Sequence, residues 1–126
     1  MYLISNTTFS KENCSDESIG LKNSSSLAEK LFYKGTCHYR NQEYRLSAKY
    51  WGDLSDLEDV EDRYEVLQID SLNNLGYLKF YGLGIPEDKT GAVFYWKKAI
   101  SLGHDESEFH LCHAYADKDE PTLILL

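Results

Sequence analysis

The chain lacks the features that mark membrane-spanning or exported proteins. No window of its 126 residues reaches the roughly 18 apolar positions that a membrane-spanning helix requires. Residues 1–18 also lack a basic segment followed by a long apolar run. We therefore expect no membrane association and a cytoplasmic location.

Cysteine is scarce as well. Cys14, Cys37 and Cys112 form no C-x-x-C pair and are odd in number, which indicates neither a disulfide framework nor a cysteine-rich zinc site. This cysteine usage predicts a reducing compartment.

Motifs for catalysis are missing too. The sequence contains no P-loop, no nucleophile elbow and no H-E-x-x-H. Four possible metal ligands lie within ten positions: His104, His110, Cys112 and His113. The helical period places Cys112 about 200° from His110, so these side chains cannot converge on one helix. We predict no catalytic residue, no metal and no cofactor, and a metal-dependent enzyme is the weakest alternative.

Basic residues are outnumbered, with 13 Lys and Arg against 21 Asp and Glu, a net charge of −8 and a pI near 4.9. This balance opposes binding to nucleic-acid phosphates and favours a basic protein if a charged partner exists. Solubility alone is the other explanation.

The acidic residues concentrate between Asp53 and Glu65, where Arg63 is the single basic residue. Apolar residues recur there at spacings of three and four, which predicts a continuing helix with carboxylates on its outer face. That face is either simple solvated surface or a docking rim for a Lys/Arg-rich partner. The predicted rim consists of Asp56, Glu58, Asp59, Glu61 and Asp62.

Composition divides the chain into three parts. Residues 1–25 are rich in Ser, Asn and Thr, which predicts a flexible N-terminal arm, and residues 26–121 form the helical domain. Residues 122–126 are an apolar tail that either covers the last helix or joins two copies in a homodimer.

Capping and periodicity predict about five helices. Ser26 and Glu29 form a capping-box pattern that starts the first helix. A glycine-rich break over residues 82–86 separates two later helices. The predicted spans are 27–40, 43–57, 68–80, 89–102 and 106–116.

Part of the sequence repeats. Ser71, Leu75, Gly76 and Lys79 recur as Ser107, Leu111, Cys112 and Tyr115, each pair 36 positions apart. Self-similarity at this period is typical of stacked helical hairpins, which bury a shared core and leave a concave surface for another protein.

The repeat resembles the Sel-like repeat, a branch of the tetratricopeptide superfamily. The resemblance rests on Asn74-Leu75-Gly76, Gly82-x-Gly84-Ile85, Asp88, Ala92-x-x-Tyr95, Lys98-Ala99, Gly103-His104 and the restart from Ser107 to Tyr115. Residues 27–57 are similar to a shorter unit, in which Gly35, Tyr44, Ala48 and Trp51 serve where Gly76, Ala92 and Tyr95 do later.

This resemblance implies a short right-handed α-solenoid of antiparallel helix pairs, acting as an adaptor or scaffold without catalytic residues. Aromatic residues dominate interface energetics, so Tyr77, Tyr81 and Trp96 are the candidate anchors in its groove. Core packing is the alternative role for these three residues.

Small size and acidity predict a more specific function, an immunity-type protein that neutralises a basic toxin of bacterial competition. A general adaptor or assembly scaffold is the alternative.

Overall fold

The computed structural model describes residues 10–116, and the apolar tail at 122–126 lies outside this range. Within it the chain forms five α-helices and no strand. They are α1 (Leu27–Arg40), α2 (Tyr44–Ser55), α3 (Glu65–Tyr81), α4 (Lys89–Ser101) and α5 (Ser107–Tyr115). The all-helical fold predicted from the sequence is confirmed.

Local capping explains where the first hairpin begins. The Ser26 hydroxyl accepts the Glu29 backbone N–H at 3.0 Å, and the Glu29 carboxylate accepts the Ser26 N–H at 3.0 Å. The turn after α1 uses Gln42 with a φ of 62°. It returns the chain antiparallel, because Tyr39 contacts Tyr44 at the turn while Trp51 reaches back to Phe32.

The acidic segment does not continue the helix, so that prediction is wrong. Helix α2 ends at Ser55, and the chain stays irregular until a short 3₁₀ turn at Asp62–Tyr64. Asp59 has a φ of 56°, which no helix accommodates. The Gln68 amide donates to the carbonyls of Leu54 at 3.0 Å and Leu57 at 2.8 Å, so α3 supplies the donors that end α2.

The second hairpin joins α3 to α4. Gly82 caps the end of helix α3, and its φ of 65° is the left-handed conformation that glycine adopts without strain. Asp88 caps the start of helix α4, and its carboxylate accepts the Gly91 N–H at 2.8 Å.

The core consists of two clusters shared between neighbouring helices. One contains Ala48, Trp51, Leu75 and Leu78 from α2 and α3. The other contains Phe80, Ala92, Val93, Trp96 and Ala114 from α3, α4 and α5. Each helix therefore buries its apolar face mainly against its neighbours along the chain, as in a helical-repeat stack.

Both hairpins contain the same glycine–tryptophan contact. Gly35 lies against the Trp51 indole and Gly76 against the Trp96 indole. Trp51 Nε1–H donates to the Phe32 carbonyl at 3.3 Å, and Trp96 Nε1–H donates to the Asn73 carbonyl at 3.1 Å. In each hairpin the accepting residue precedes the glycine by three positions.

This contact corrects the repeat alignment. The counterpart of Trp51 is Trp96, rather than the neighbouring Tyr95, because only Trp96 packs on the glycine of its partner helix.

The cysteine pattern indicated no disulfide framework, but the structure contains a disulfide. Cys14 and Cys37 form a disulfide with a Cα–Cα distance of 5.8 Å. The two cysteines are 23 positions apart in the sequence and meet because the segment before α1 folds back along that helix. The division into arm, helical domain and tail stays a prediction.

None of the helices within residues 10–116 has the length and apolar content needed to cross a membrane.

Candidate partner-binding groove

A groove of about 340 Å³ lies between the first helices of successive hairpins. Residues at helical spacings of three and four line it from α1 and α3, which places them on one face of each helix. Its lining residues are Phe32, Thr36 and Tyr39 of α1, Trp51 of α2, Asn73, Asn74 and Tyr77 of α3, and His110 of α5. None of these residues is Asp, Glu, Lys or Arg.

Aromatic rings of α1 and α2 contact one another along one wall of the groove. The Tyr39 ring lies 5.7 Å from Trp51 between centroids and 5.4 Å from Tyr44. Burial, followed by the nearby Tyr77 and Tyr44 hydroxyls, raises the pKa of Tyr39 above its usual value. Tyr39 therefore keeps its proton at neutral pH and adds no charge to the groove.

His110 closes the groove on the α5 side. Its ring stacks on Trp96, with centroids 5.1 Å apart and an interplanar angle of 16°, and its centroid lies 6.1 Å from that of Tyr77. Burial is the largest influence on His110, and it lowers the pKa of this imidazole below its usual value. This shift favours the neutral imidazole at pH 7, and no Asp, Glu, Lys or Arg adds a charge to the groove lining.

The three predicted groove aromatics occupy different places. Tyr77 lines the groove, and Tyr81 lies beside it with ring centroids 4.9 Å apart and 47 % of its surface exposed. Trp96 is only 1 % exposed and lies behind His110 in the core. This position corrects the expectation of an exposed anchor at Trp96.

The groove residues that the sequence did not single out are Phe32, Tyr39, Trp51 and His110. The spacing of Phe32 and Tyr39 puts them on one face of α1, and that signal is present in the sequence. It does not show whether the face meets another helix or solvent, because both arrangements have the same period.

The five predicted rim residues are all exposed in the connection between α2 and α3, and we call this segment, residues 56–62, the acidic loop. Glu61 pairs with Arg63 at 3.1 Å. Three acidic residues of the loop, Glu58, Asp59 and Glu61, are among those that line a cavity of about 360 Å³, together with Leu27 and Tyr64. No residue of the acidic loop lines the groove, so the groove and the loop are separate surfaces.

One cluster has the residue types of a hydrolase triad. His104 Nε2 lies 3.2 Å from Asp70 Oδ1, and His104 Nδ1 lies 3.0 Å from Ser107 Oγ. However, Ser107 is 0 % exposed, and its hydroxyl donates to Asn73 Oδ1 at 2.8 Å. A substrate cannot reach this oxygen.

The hydrogen bonds of the cluster explain its structural role. The Ser107 backbone N–H donates to His104 Nδ1 at 3.2 Å, so this nitrogen is an acceptor and the proton lies on Nε2, facing Asp70. Burial raises the pKa of Asp70, and the nearby His104 opposes that shift. His104 therefore caps the start of α5 and ties it to α3.

Metal ligands are not grouped within residues 10–116. The structure brings no three His, Cys, Asp or Glu side chains together there in a way that could hold an ion. His110 instead stacks on Trp96, and the centroid of His113 lies 6.4 Å from that of Phe80.

Paired helices stacked along the chain, with an uncharged groove between their first helices, define a short tetratricopeptide-like α-solenoid. Residues 69–104, from within α3 to the cap of α5, match the family model described as Sel1 repeat. This match confirms, for residues 69–104, the resemblance to a Sel-like repeat seen in the sequence. No curated protein and no solved structure matches the chain.

Sel1 repeats mediate protein–protein interactions and are generally non-catalytic. The class of function that follows is a protein-interaction module.

Proposed function

We propose that the groove holds an uncharged, apolar segment of a basic partner protein, and that the acidic loop attracts this partner. The lining of the groove supports an apolar occupant, because it contains four aromatic side chains, one neutral imidazole and no formal charge. A charged side chain entering it would lose hydration without gaining an opposite charge, whereas an apolar side chain would be stabilised by burial. No catalytic step is part of this proposal.

The charge of the chain supports the basic character of the partner. The net charge is −8, and the acidic loop exposes five carboxylates on one connection. Such a surface accelerates the association of an oppositely charged protein and repels acidic ones.

The narrower form of the proposal is an immunity-type protein whose partner is a basic toxin. Co-expression with the product of the adjacent open reading frame, followed by affinity capture, tests it. Capture of a basic protein whose toxicity disappears on binding is the expected result. If that product is neither basic nor captured, the toxin version is wrong.

A general assembly scaffold, with a second copy of the chain as one possible partner, is the alternative. Sedimentation of the purified chain over a range of concentrations separates the two. A self-associating chain that also captures no basic protein favours the scaffold.

Replacing Tyr77 with alanine should weaken binding of the captured partner at least tenfold. Tyr77 lines the groove, and truncating an aromatic anchor typically costs more than about 1.4 kcal/mol, which is tenfold in Kd. Isothermal titration calorimetry measures the change.

Tyr33→Ala is the matched control for this variant. Tyr33 is a tyrosine of α1 that is more exposed than Tyr77 and does not line the groove. Circular dichroism confirms that both variants are folded. Equal Kd values for the two variants would show that the groove does not bind the partner.

Reversing three loop charges should slow association at least tenfold and flatten its salt dependence. We choose Glu58→Lys, Glu61→Lys and Asp62→Lys, and leave Asp59 in place because its positive φ disfavours most replacements. Surface charges act mainly on the association rate, which stopped-flow mixing at several salt concentrations measures.

The control is a variant with three exposed glutamates outside the loop changed to lysine, Glu17, Glu87 and Glu108. Both variants have the same net charge. A larger effect from the loop variant supports the proposal, and equal effects would show that net charge alone attracts the partner.

A further inference from the structure

The segment before α1 lies on the side of that helix that faces away from the groove. Lys34, Cys37 and Asn41 recur at spacings of three and four and hold this segment. Groove residues Phe32 and Tyr39 point to roughly the opposite side at about 100° per residue. We call residues 11–16 the strap.

Asn41 recognises the backbone of the strap in both directions. Its Oδ1 accepts the Glu12 backbone N–H at 2.7 Å, and its Nδ2 donates to the Glu12 carbonyl at 2.9 Å. Asn41 is 3 % exposed. A buried amide left without these partners would be unfavourable, so the strap completes the end of α1.

Two ion pairs flank this contact. Arg40 Nε donates to Glu12 Oε2 at 2.6 Å, and Lys34 Nζ lies 2.7 Å from Asp16 Oδ1. The disulfide between Cys14 and Cys37 lies between them, and Cys37 is 0 % exposed. Covalent and polar contacts thus hold the same short segment to the same face.

The outer face of the strap is polar. Lys11, Glu12, Asn13 and Ser15 are exposed, whereas Cys14 is half-buried against α1. In a stack of helical hairpins, a helix face that no other hairpin covers requires an end piece with a polar outer face. The strap provides that cover.

Formation of the disulfide has a chemical requirement. Two thiols lose two protons and two electrons to form one S–S bond, and a disulfide-donating thiol oxidoreductase accepts the electrons. Such bonds persist in oxidising compartments and are rare where glutathione and thioredoxin keep thiols reduced.

We propose that the strap is a cap on the outer face of α1 locked by the Cys14–Cys37 disulfide, and that the chain therefore matures in an oxidising compartment. This location replaces the reducing compartment that the cysteine usage predicted and the cytoplasmic location that the absence of an export pattern predicted. The proposal does not depend on what the groove binds.

Thiol trapping in the native host tests the compartment. Cells are quenched in acid, and the full chain is then alkylated in denaturant. The denaturant ensures that burial of Cys37 does not hide a free thiol. Mass spectrometry then gives the number of alkylated cysteines. One alkylated cysteine, Cys112, is expected before reduction and three after it. Three alkylated cysteines without reduction would overturn the proposal.

Hydrogen exchange of the purified full chain tests the cap. Reduction is expected to raise exchange at least tenfold in residues 12–16 and in the last turn of α1, and to leave α4 unchanged. Asn41→Asp, with the disulfide intact, should raise exchange in the same residues because it removes the donor to Glu12. Unchanged exchange in both cases would show that the strap is not a cap. Cys112→Ser is the control and should exchange like the parent chain.

Discussion

Replacing Gly76 with alanine is expected to destabilise the protein by about 2 kcal/mol, although alanine is the better helix former. A Cβ atom at this position would lie 2.7 Å from Trp96 Cδ1 and 2.8 Å from Trp96 Cε2. Real Cβ atoms do not approach other atoms this closely, so the indole must shift.

Trp96 has little freedom to shift. Its indole N–H donates to the Asn73 carbonyl, and Asn73 Oδ1 in turn accepts the Ser107 hydroxyl that belongs to α5. Moving the indole would therefore disturb the connection between α3, α4 and α5. Urea unfolding monitored by tryptophan fluorescence measures the free energy of unfolding, since the chain has two tryptophans and both contact a glycine.

Gly52→Ala is the matched control for Gly76→Ala. Gly52 also lies within a helix, but a Cβ there meets no atom within 4 Å. This substitution should stabilise the protein by about 0.5–1 kcal/mol through helix propensity alone. If both alanine variants are stabilised, Gly76 of α3 does not pack closely on Trp96.

The ends of the helices are the part of the fold that could be predicted from the sequence. The span 27–40 of α1 matches the prediction because its start depends on Ser26 and Glu29, which are three positions apart. Asp88 and Gly82 are equally local, so the hairpin within residues 69–104 was also predictable. Signals within one turn of the chain fix the ends of a helix.

Contacts between distant residues could not be predicted in this way. Tyr95 and Trp96 are adjacent, and the helical period separates them by about 100°, so either could have been the exposed anchor. Trp96 is the buried residue of the two, because it packs on Gly76. Likewise, the side-chain amide of Gln68, in α3, donates to carbonyls at and just after the end of α2. The apolar spacing of the acidic loop does not reveal this contact.

The candidate site depends on several elements at once. Its lining comes from four helices, and only Tyr77 was named from the sequence as a groove residue that the structure also places there. The carboxylates of the acidic loop were predicted as exposed on charge density alone, since unpaired charges are rarely buried. Charge is thus readable from the sequence, whereas concavity requires the packed helices.

Removing the disulfide with Cys14→Ala and Cys37→Ala together is expected to lower the free energy of unfolding by about 3 kcal/mol. The bond closes a loop across 23 positions, and losing it frees the unfolded chain to adopt many more conformations. A domain of this size has roughly 5–15 kcal/mol of stability in total, so the loss is a large fraction. Differential scanning calorimetry should show a fall in Tm of more than about 10 °C.

Reduction of the parent chain provides a second measurement of how much the disulfide stabilises the protein. It should lower the Tm by nearly the same amount, because it removes the same cross-link, and it should leave the double alanine variant unchanged. Cys112→Ser changes an exposed thiol and should stay within about 0.5 kcal/mol of the parent. If reduction and the double substitution both leave the Tm unchanged, the cross-link does not stabilise the fold. If only the double substitution lowers it, the loss comes from packing around the buried Cys37 rather than from loop closure.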